Sequence, residues 1–156
     1  MKSIQMITAT STILVFAGCA SVPKASSQYQ QTALSFAPTP GKAGVYVIRP
    51  SSPIAAGLLY RVSIDYAHCG TLASGSYIYA ELDPGDHMLQ AAVVRHFAGE
   101  ATPFKFTAEL SKLYFLQTAL GFGHMSLEPV EEIKGKQLVR KYKLSGDSNF
   151  EAQPRK

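Results

Sequence analysis

Residues 75–95, with the sequence GSYIYAELDPGDHMLQAAVVR, decide the fold class of this chain. Two stretches rich in aromatic and aliphatic residues, 77–82 and 88–95, flank an Asp-Pro-Gly-Asp segment at 83–86. Proline fixes one backbone dihedral of a turn, and glycine accepts the positive φ that a neighbouring position requires. The pattern therefore predicts two β-strands joined by a short connection.

Further short strands are predicted on both sides of this stretch. Tyr60, Val62 and Ile64 alternate with polar side chains within residues 58–65, as in a half-buried antiparallel strand. The other candidates are residues 45–48, 69–72, 104–109, 113–120 and 122–127. Seven or eight strands in about 85 residues favour a mainly β fold, an antiparallel sandwich of the immunoglobulin or transthyretin type.

A short C-terminal helix is predicted after the last strand. Residues 130–142 carry acidic side chains early and basic ones late, which complements the helix dipole. Gly135 lies in the middle of this segment and costs the helix about 1 kcal/mol relative to alanine. The prediction therefore depends mainly on the charge pattern.

The first eighteen residues have the layout of a bacterial export signal. Lys2 supplies a positive charge, and residues 4–17 are mostly apolar or hydroxylated. A helix of this length rises about 21 Å, which is less than the roughly 30 Å hydrocarbon core of a bilayer. The segment is therefore interpreted as a signal peptide and not as a membrane span.

The segment Phe16-Ala17-Gly18-Cys19 resembles the lipobox of bacterial lipoproteins. In that motif the cysteine thiol receives diacylglycerol, and a peptidase then cuts on the amino side of the cysteine. The resemblance implies that Cys19 is the lipid attachment site and that the membrane is a partner. Apart from this covalent acyl lipid, no cofactor is expected. The alternative is an ordinary secretory signal cut near Ala17 or Ala20.

Composition divides the chain into four segments. The first three are a signal peptide at 1–18, the acylated cysteine with a flexible tether at 19–42, and a sandwich domain at 43–144. The tether is rich in Ser, Gln, Ala and Pro without sustained apolar alternation, and residues 145–156 form a disordered tail. Resemblance to enterobacterial lipoproteins, which mark inner-membrane retention with Asp after the cysteine, implies an outer-membrane protein that faces the periplasm.

The order of landmarks along the strands resembles a known family. These landmarks are Val45-Tyr46-Val47-Ile48-Arg49-Pro50, Tyr60-Arg61-Val62-Ser63-Ile64-Asp65, Gly70, Gly75-Ser76-Tyr77, Pro84-Gly85-Asp86-His87 and Lys112-Leu113-Tyr114-Phe115. Their order resembles domain of unknown function 2846, a family of bacterial lipoproteins and secreted proteins, over residues 44–144. The layout is also similar to PEGA and carboxypeptidase-regulatory-type sandwich domains, which are generally non-catalytic. Many family members have Asp-Gly where this chain has Asp65-Tyr66-Ala67-His68, so we expect a wider hairpin here.

Charge and composition restrict the classes of partner. Apolar residues at 46% and charged residues at 17% describe a chain that can bury a core, and the formal charge is only +4. Five cations without an acid among them cluster near the end: Lys134, Lys136, Arg140, Lys141 and Lys143. They form either a solvated face or a surface for phospholipid head groups or acidic glycans. Nucleic acid is not expected, because an exported protein rarely meets it and no recognition motif is present.

Neither a metal site nor a catalytic site is expected. The histidines lack zinc-like spacing, and His87 and His96 would lie on opposite faces of one strand. Ser74 lacks the elbow motif of a nucleophilic serine, and Asp83 and Asp86 flank Pro-Gly, which indicates turn chemistry. The sequence therefore predicts a protein that is not an enzyme.

Burial or exposure can also be predicted for Cys69 and for the aromatic residues. With Cys19 acylated, Cys69 is the remaining thiol; we expect it to be buried, with an intermolecular disulfide as the alternative. Phe104 and Phe106 are expected in the core. A buried phenol needs a hydrogen-bond partner, so exposed or half-exposed positions are expected for Tyr46, Tyr60, Tyr77 and Tyr79.

The function expected from these features is that of a non-catalytic, lipid-tethered envelope module. Its partner would be another envelope protein, a second copy of the domain or peptidoglycan, and an unpaired edge strand would be the docking site. The alternative is a periplasmic lipoprotein that binds a lipid or another small apolar ligand. The sequence leaves the binding residues and the oligomeric state open.

Overall fold

The computed structural model describes residues 25–94, 102–121 and 124–146. Its elements, in chain order, are α1 (Ser27–Ser35), β1 (Ala43–Arg49), β2 (Tyr60–Ile64), β3 (Ala67–Leu72), β4 (Ser76–Leu82), β5 (Gly85–Val93), β6 (Phe104–Ala108), β7 (Leu113–Leu120), β8 (Met125–Pro129), α2 (Glu132–Lys141) and β9 (Lys143–Leu144). The predicted signal peptide, the lipobox with Cys19, His96 and the tail from residue 147 lie outside the described residues.

The strands form two sheets, which confirms the predicted mainly β sandwich. One sheet has five strands in the order β8-β7-β1-β4-β9, and the other has four in the order β3-β2-β5-β6. Most neighbours are antiparallel, but β1 pairs parallel with β7 and β4 pairs parallel with β9. The parallel pair arises because the chain crosses over from β6 in the four-stranded sheet and enters β7 beside the start of β1, where Gly44 aligns with Leu113.

Both faces of the five-stranded sheet are buried. Every residue of β1 is buried, with Val45 and Val47 directed into the core between the sheets. Tyr46 and Ile48 point to the opposite face and belong to a second apolar cluster beneath the helices. Strands covered on both faces lose the simple alternation of apolar and polar residues. The molecule therefore has three layers: the helices, the five-stranded sheet and the four-stranded sheet.

The helix α1 corrects the interpretation of residues 25–42 as flexible tether. Ser26 caps the helix by accepting a hydrogen bond from the backbone N–H of Tyr29 at 3.3 Å. Tyr29, Ala33 and Phe36, at helical spacing, all pack against the second cluster, and Ala33 is fully buried. This small apolar stripe is the reason that a segment of linker-like composition folds onto the sheet.

The other helix, α2, contains the expected Gly135. This residue is buried against Phe115, and a Cβ atom there would overlap the Phe115 ring. The missing side chain allows α2 to lie close to the sheet, which offsets the poor helix propensity of glycine. Val139 of the same helix is fully buried in the second cluster.

The hairpin between β2 and β3 is tighter than predicted. Ile64 pairs with Ala67, so only Asp65 and Tyr66 form the loop, with φ of 48° and 68°. Two central residues with positive φ are the signature of a type I′ turn. The expectation of a wider hairpin is wrong; the carboxylate of Asp65 fixes the turn by accepting a hydrogen bond from the backbone N–H of Met88 at 3.0 Å.

The fold extends one residue beyond the predicted boundary at 144. Ser145 is fully buried, and its backbone N–H donates to the Tyr77 carbonyl at 2.9 Å. Its hydroxyl donates to the Thr71 carbonyl of the other sheet at 2.7 Å. Ser145 therefore ties the two sheets together and belongs to the fold, not to the predicted tail.

Candidate functional site

The four tyrosines expected at the surface are all buried, so that expectation is wrong. Their exposed fractions are 0% for Tyr46, 5% for Tyr60, 1% for Tyr77 and 0% for Tyr79. The hydroxyl of Tyr46 donates to the Ala33 carbonyl of α1 at 2.6 Å. Burial raises the pKa of Tyr77 to about 12 and also raises the pKa values of Tyr46 and Tyr79. The phenols of Tyr46, Tyr77 and Tyr79 are therefore structural groups that stay neutral at physiological pH.

Glu81 anchors the edge of this aromatic layer. It accepts hydrogen bonds from the Tyr79 hydroxyl at 2.8 Å and from the backbone N–H of Thr39 at 2.9 Å. Burial opposes the ionisation of Glu81, but these hydrogen bonds and the Lys42 charge outweigh it and lower the pKa of the carboxyl. Glu81 thus binds the segment after α1 to β4 as an ionised group.

A buried arginine lies at the end of β1. Arg49 is 3% exposed, and its Nη1 donates to the Leu58 and Leu72 carbonyls at 2.6 and 3.1 Å. Its Nη2 donates to the Ala55 carbonyl at 2.7 Å, and its guanidinium carbon lies 3.7 Å from the centre of the Tyr60 ring. Arg49 therefore holds the loop between β1 and β2, in which Ala55 has a φ of 63°.

Arg49 has no acidic partner in the part of the chain that the structure describes. The four ion pairs found there involve Lys42, His87, Lys112 and Lys136. Desolvation lowers the pKa of the Arg49 guanidinium. Burying a cation costs free energy unless other groups compensate it. Here carbonyl dipoles and the face of an aromatic ring compensate for the lost hydration of the guanidinium. None of these groups carries a charge, so the positive charge of Arg49 is not neutralised.

The charge of Arg49 is accessible from an open cleft of about 300 Å³, which we call the Arg49 cleft. Its lining residues are Arg49, Pro50, Ser52, Ile54, Ala55, Tyr60, Thr118 and Leu120. Ile54 is 81% exposed and Leu120 is 54% exposed, so two aliphatic side chains stand at the rim. A cation at the floor and an apolar rim suit a small molecule with one anionic end and one apolar end.

The Asp65–His87 pair occupies a second cleft, of about 410 Å³, next to the tight turn. The Nδ1 atom of His87 lies 2.7 Å from Oδ2 of Asp65, and its Nε2 lies 2.8 Å from the Asp83 carbonyl. A carbonyl and a carboxylate both only accept hydrogen bonds, so each ring nitrogen of His87 faces an acceptor. The contact with Asp65 then uses Nδ1, so both ring nitrogens are engaged. His87 thus clamps two turns together and offers no free nitrogen to a substrate in this arrangement.

The remaining sequence-predicted residues are dispersed. Asp83 lies in the connection from β4 to β5, as predicted, but Asp86 lies within β5, opposite Thr107, whose hydroxyl donates to Asp86 at 2.6 Å. The Ser74 hydroxyl accepts a hydrogen bond from the backbone N–H of Ser52 at 3.1 Å. Over residues 25–94, 102–121 and 124–146, no three His, Cys, Asp or Glu side chains come together as a metal-binding group.

The buried state predicted for Cys69 is confirmed. Its exposed fraction is 1%, and it is the additional residue where the pairing shifts between Val62 opposite Gly70 and Ser63 opposite His68. Desolvation raises the pKa of the thiol to about 12. A disulfide with another chain would therefore require Cys69 to leave the core. Phe104 and Phe106 are partly buried and pack against the core, as expected.

The edge strands, the predicted docking sites, are short and partly covered by the chain itself. The edges are β8 and β9 in one sheet and β3 and β6 in the other. Carbonyls of three of them accept hydrogen bonds from outside the ladder: Met125 from Thr102 N–H, Thr71 from the Ser145 hydroxyl and Thr107 from the Tyr114 hydroxyl. Such cover reduces the capacity of an edge to recruit another strand.

Sequence reasoning missed Arg49 and the Asp65–His87 pair as site residues. For Arg49 the available signal was a charged side chain that ends an otherwise apolar strand, residues 43–49. For the pair, the signal appears only once β2 and β5 are known to be neighbours, because Asp65 and His87 are 22 positions apart. The first could have been found from the sequence, and the second needed the sheet order.

Comparisons with known proteins bear on the family and not on the clefts. Neither of the two described helices is long and apolar enough to cross a membrane. An uncharacterized protein of Haemophilus influenzae is 29% identical over 137 residues, which cover 85% of this chain and 79% of the relative. The family model described as "Protein of unknown function (DUF2846)" matches residues 39–130, which include α1's C-terminal flank and all strands except β9. The chain belongs to this DUF2846 family.

Proposed function

We propose that the protein is a lipid-anchored, non-catalytic module of the bacterial cell envelope that presents its folded domain to another envelope component. The observation that carries this proposal is the lipobox-like segment Phe16-Ala17-Gly18-Cys19 directly after an apolar export signal. Acylation of Cys19 would keep the protein on a membrane, and Ala20 and Ser21 favour the outer membrane with the domain in the periplasm.

The helix α1 begins only a few residues after the proposed lipid attachment site. Seven residues, 20–26, separate Cys19 from the first residue of α1. The eight Cα–Cα steps from Cys19 to Ser27 span at most about 28 Å when fully extended. The predicted tether of residues 20–42 is thus much shorter than its composition indicates, and the domain would lie beside the bilayer surface.

The experiment that tests the anchor is membrane fractionation of cells that produce wild type, Cys19→Ala or Cys69→Ala. Wild type and Cys69→Ala should sediment with the outer membrane, and Cys19→Ala should appear in the soluble periplasmic fraction. Cys69→Ala is the matched control because the chain has two cysteines. Retention of Cys19→Ala on the membrane at the wild-type level would contradict the proposal.

The role as a presenting module is tested by crosslinking in intact cells. Wild type should form a reproducible adduct with an envelope protein, a second copy or peptidoglycan, and the same adduct should be depleted for Cys19→Ala. A wild-type protein that forms no adduct at an expression level equal to that of a known envelope lipoprotein would remove this part of the proposal.

A second candidate function, carriage of a small apolar molecule with an anionic end, is favoured by the Arg49 cleft. Three N–H groups of Arg49 bind carbonyls, and its Nε–H and second Nη2–H have no hydrogen bond among the described residues. A carboxylate could accept from these groups while its alkyl chain contacts Ile54 and Leu120. Charge-assisted hydrogen bonds contribute about 1.5–3 kcal/mol.

Calorimetric titration with decanoate and with decanol tests this second candidate on residues 20–156. Decanoate should bind at least about tenfold more tightly than decanol, because only the carboxylate benefits from Arg49. The variant Leu120→Ser should weaken both ligands, since it removes apolar contact but leaves the buried arginine intact. Equal binding of the two ligands, or none, would exclude the carrier function for this cleft.

A further inference from the structure

We propose that the outward face of α2 docks on the anionic phospholipid surface of the membrane that holds the anchor. This inference rests on the proposed acylation of Cys19 for the orientation of the domain. The face, called the basic face below, consists of Ile133, Lys134, Arg140 and Lys141. Its occupant is a bilayer surface that contains phosphatidylglycerol or another anionic lipid.

The burial of α2 defines the basic face. Gly135 and Val139 are buried against the five-stranded sheet, whereas Lys134, Arg140 and Lys141 are exposed. At 100° per residue, Ile133 lies about 160° away from Gly135 around the helix. Its exposed fraction is 76%, so this aliphatic side chain lies on the outward side of α2 together with the cations. An apolar side chain flanked by cations is the arrangement of helices that lie in a membrane interface.

The charges of this face are available to a partner. Among the residues that the structure describes, Lys134, Arg140 and Lys141 form no ion pair, and the nearby Lys136 is paired with Glu132 at 2.5 Å. Five cations and two acids lie within residues 131–143, so the segment has a local charge of +3. Each cation near an anionic bilayer contributes about 1 kcal/mol of attraction.

The packing of α1 places the anchor on the same side of the domain. Both helices cover the outer face of the five-stranded sheet, and the Phe36 ring after α1 lies 5.1 Å from the Arg140 guanidinium and 5.4 Å from the Lys136 ammonium. A folded unit of this size has a diameter of about 35 Å. The maximal reach from Cys19 to Ser27, about 28 Å, is shorter than this diameter. The anchor would therefore keep the start of α1 within about 28 Å of the bilayer, so that the helical layer can reach the membrane surface.

The opposite side of the molecule provides a matched control. Arg61 of β2 and Lys105 of β6 are exposed on the outer face of the four-stranded sheet. Removal of these two cations changes the net charge as much as removal of two cations from α2. A difference between the two double variants therefore reports the face and not the total charge.

The experiment is co-sedimentation of residues 20–156, which carry no lipid but include every described element, with vesicles of phosphatidylcholine alone or mixed with phosphatidylglycerol. Wild type should bind the anionic vesicles and should dissociate as salt rises. The double variant Lys134→Gln, Lys141→Gln should bind about 25-fold more weakly, at about fivefold per cation. The double variant Arg61→Gln, Lys105→Gln should bind like wild type.

Three results would overturn the docking proposal. The first is equal sedimentation with neutral and anionic vesicles, and the second is equal weakening by the α2 variant and the control variant, each verified as folded by circular dichroism. The third is tight binding to heparin without binding to anionic vesicles, which would assign the basic face to a soluble polyanion. The protein used for co-sedimentation carries no lipid, so a negative result with vesicles does not bear on the acylation of Cys19, which the fractionation experiment tests. A negative fractionation result likewise does not change the measured binding of α2 to vesicles.

Discussion

The two faces of the five-stranded sheet both contain buried clusters, but these clusters are chemically different. The face toward the other sheet is aliphatic, with Val45, Val47, Ile78, Ala80 and Leu82. The face beneath the helices is aromatic, with Tyr46, Tyr77, Tyr79 and Phe115. Tyr46 and Phe115 stack with their ring centres 4.8 Å apart and an interplanar angle of 8°.

The difference shows how a strand with polar aromatic residues can be buried on both sides. A phenol loses hydrogen bonds to water on burial unless the protein replaces them. Here Tyr46 donates to a carbonyl of α1, Tyr29 of α1 donates to the Tyr79 carbonyl, and the Tyr79 hydroxyl donates to Glu81 of its own strand. The aromatic face is therefore a second core that depends on α1, whose sequence resembles a linker.

The largest effect expected is from truncation of neighbouring β7 residues on opposite faces. Phe115→Ala should lower the free energy of unfolding by about 3–5 kcal/mol, and Leu116→Ala on the aliphatic face by about 2–5 kcal/mol. Both side chains are almost fully buried, at 3% and 2% exposure. Urea unfolding measures both values. A cost below about 1 kcal/mol for Phe115→Ala would show that the aromatic face is not a core.

Alkaline pH should weaken the aromatic face through its buried phenols. The folded pKa of Tyr77, about 12, exceeds its ordinary value of 10.0, so the folded state holds the phenol proton more tightly than the unfolded state. The stability associated with the neutral phenol of Tyr77 is fully present below pH 10. As pH rises from 10 to 12 the free energy of unfolding falls by about 3 kcal/mol, at about 1.4 kcal/mol per pKa unit. Urea unfolding between pH 9 and 12 measures this loss, which Tyr77→Phe should reduce. An unchanged free energy of unfolding across this range would contradict the burial of the phenols.

The close approach of α2 to the sheet should make Gly135→Ala destabilising by about 1–3 kcal/mol. A methyl group would overlap the Phe115 ring, and this overpacking outweighs the better helix propensity of alanine. Gly57→Ala is the control, because a Cβ atom there meets nothing within 4 Å. If Gly135→Ala raised the thermal midpoint as an ordinary glycine substitution in a helix does, α2 would not pack as described.

The smallest effect expected is from removal of single hydroxyl groups. Tyr46→Phe removes the hydrogen bond to α1 and should cost about 1 kcal/mol at pH 7. Tyr77→Phe should cost less, since its hydroxyl makes no hydrogen bond among the described residues. Amide hydrogen exchange should show faster opening of α1 in Tyr46→Phe only. Equal exchange rates of the α1 amides in the two variants would show that the Tyr46 hydrogen bond does not hold α1 on the aromatic face.

The sequence predicted the positions of the strands better than the contacts that bury their side chains. The prediction of a strand at 113–120 matches β7, and the segment expected at 77–82 differs from β4 by one residue. The predicted strand at 122–127 instead begins at Met125. Local apolar patterning and turn residues carry this information, because they act within a few positions of the chain.

The errors share a cause, which is dependence on distant contacts. Tyr46 and Tyr79 were predicted at the surface because the helix α1, which buries them, was not predicted. The tight turn at Asp65 and Tyr66 depends on the Met88 N–H and on His87, both from another strand. The Arg49 cleft likewise depends on carbonyls of the loop between β1 and β2 and of the last residue of β3. Contacts of this kind are set by the order of strands in the sheets, which periodicity along the chain does not encode.

The central claim, that Cys19 is the acylated first residue of the mature protein, is tested most directly by mass spectrometry of the N-terminal peptide from protein extracted from membranes. The account predicts a peptide that begins at Cys19 and carries the mass of a diacylglyceryl group. A peptide that retains residues 1–18, or one cut near Ala17 or Ala20 with no lipid on Cys19, would contradict it.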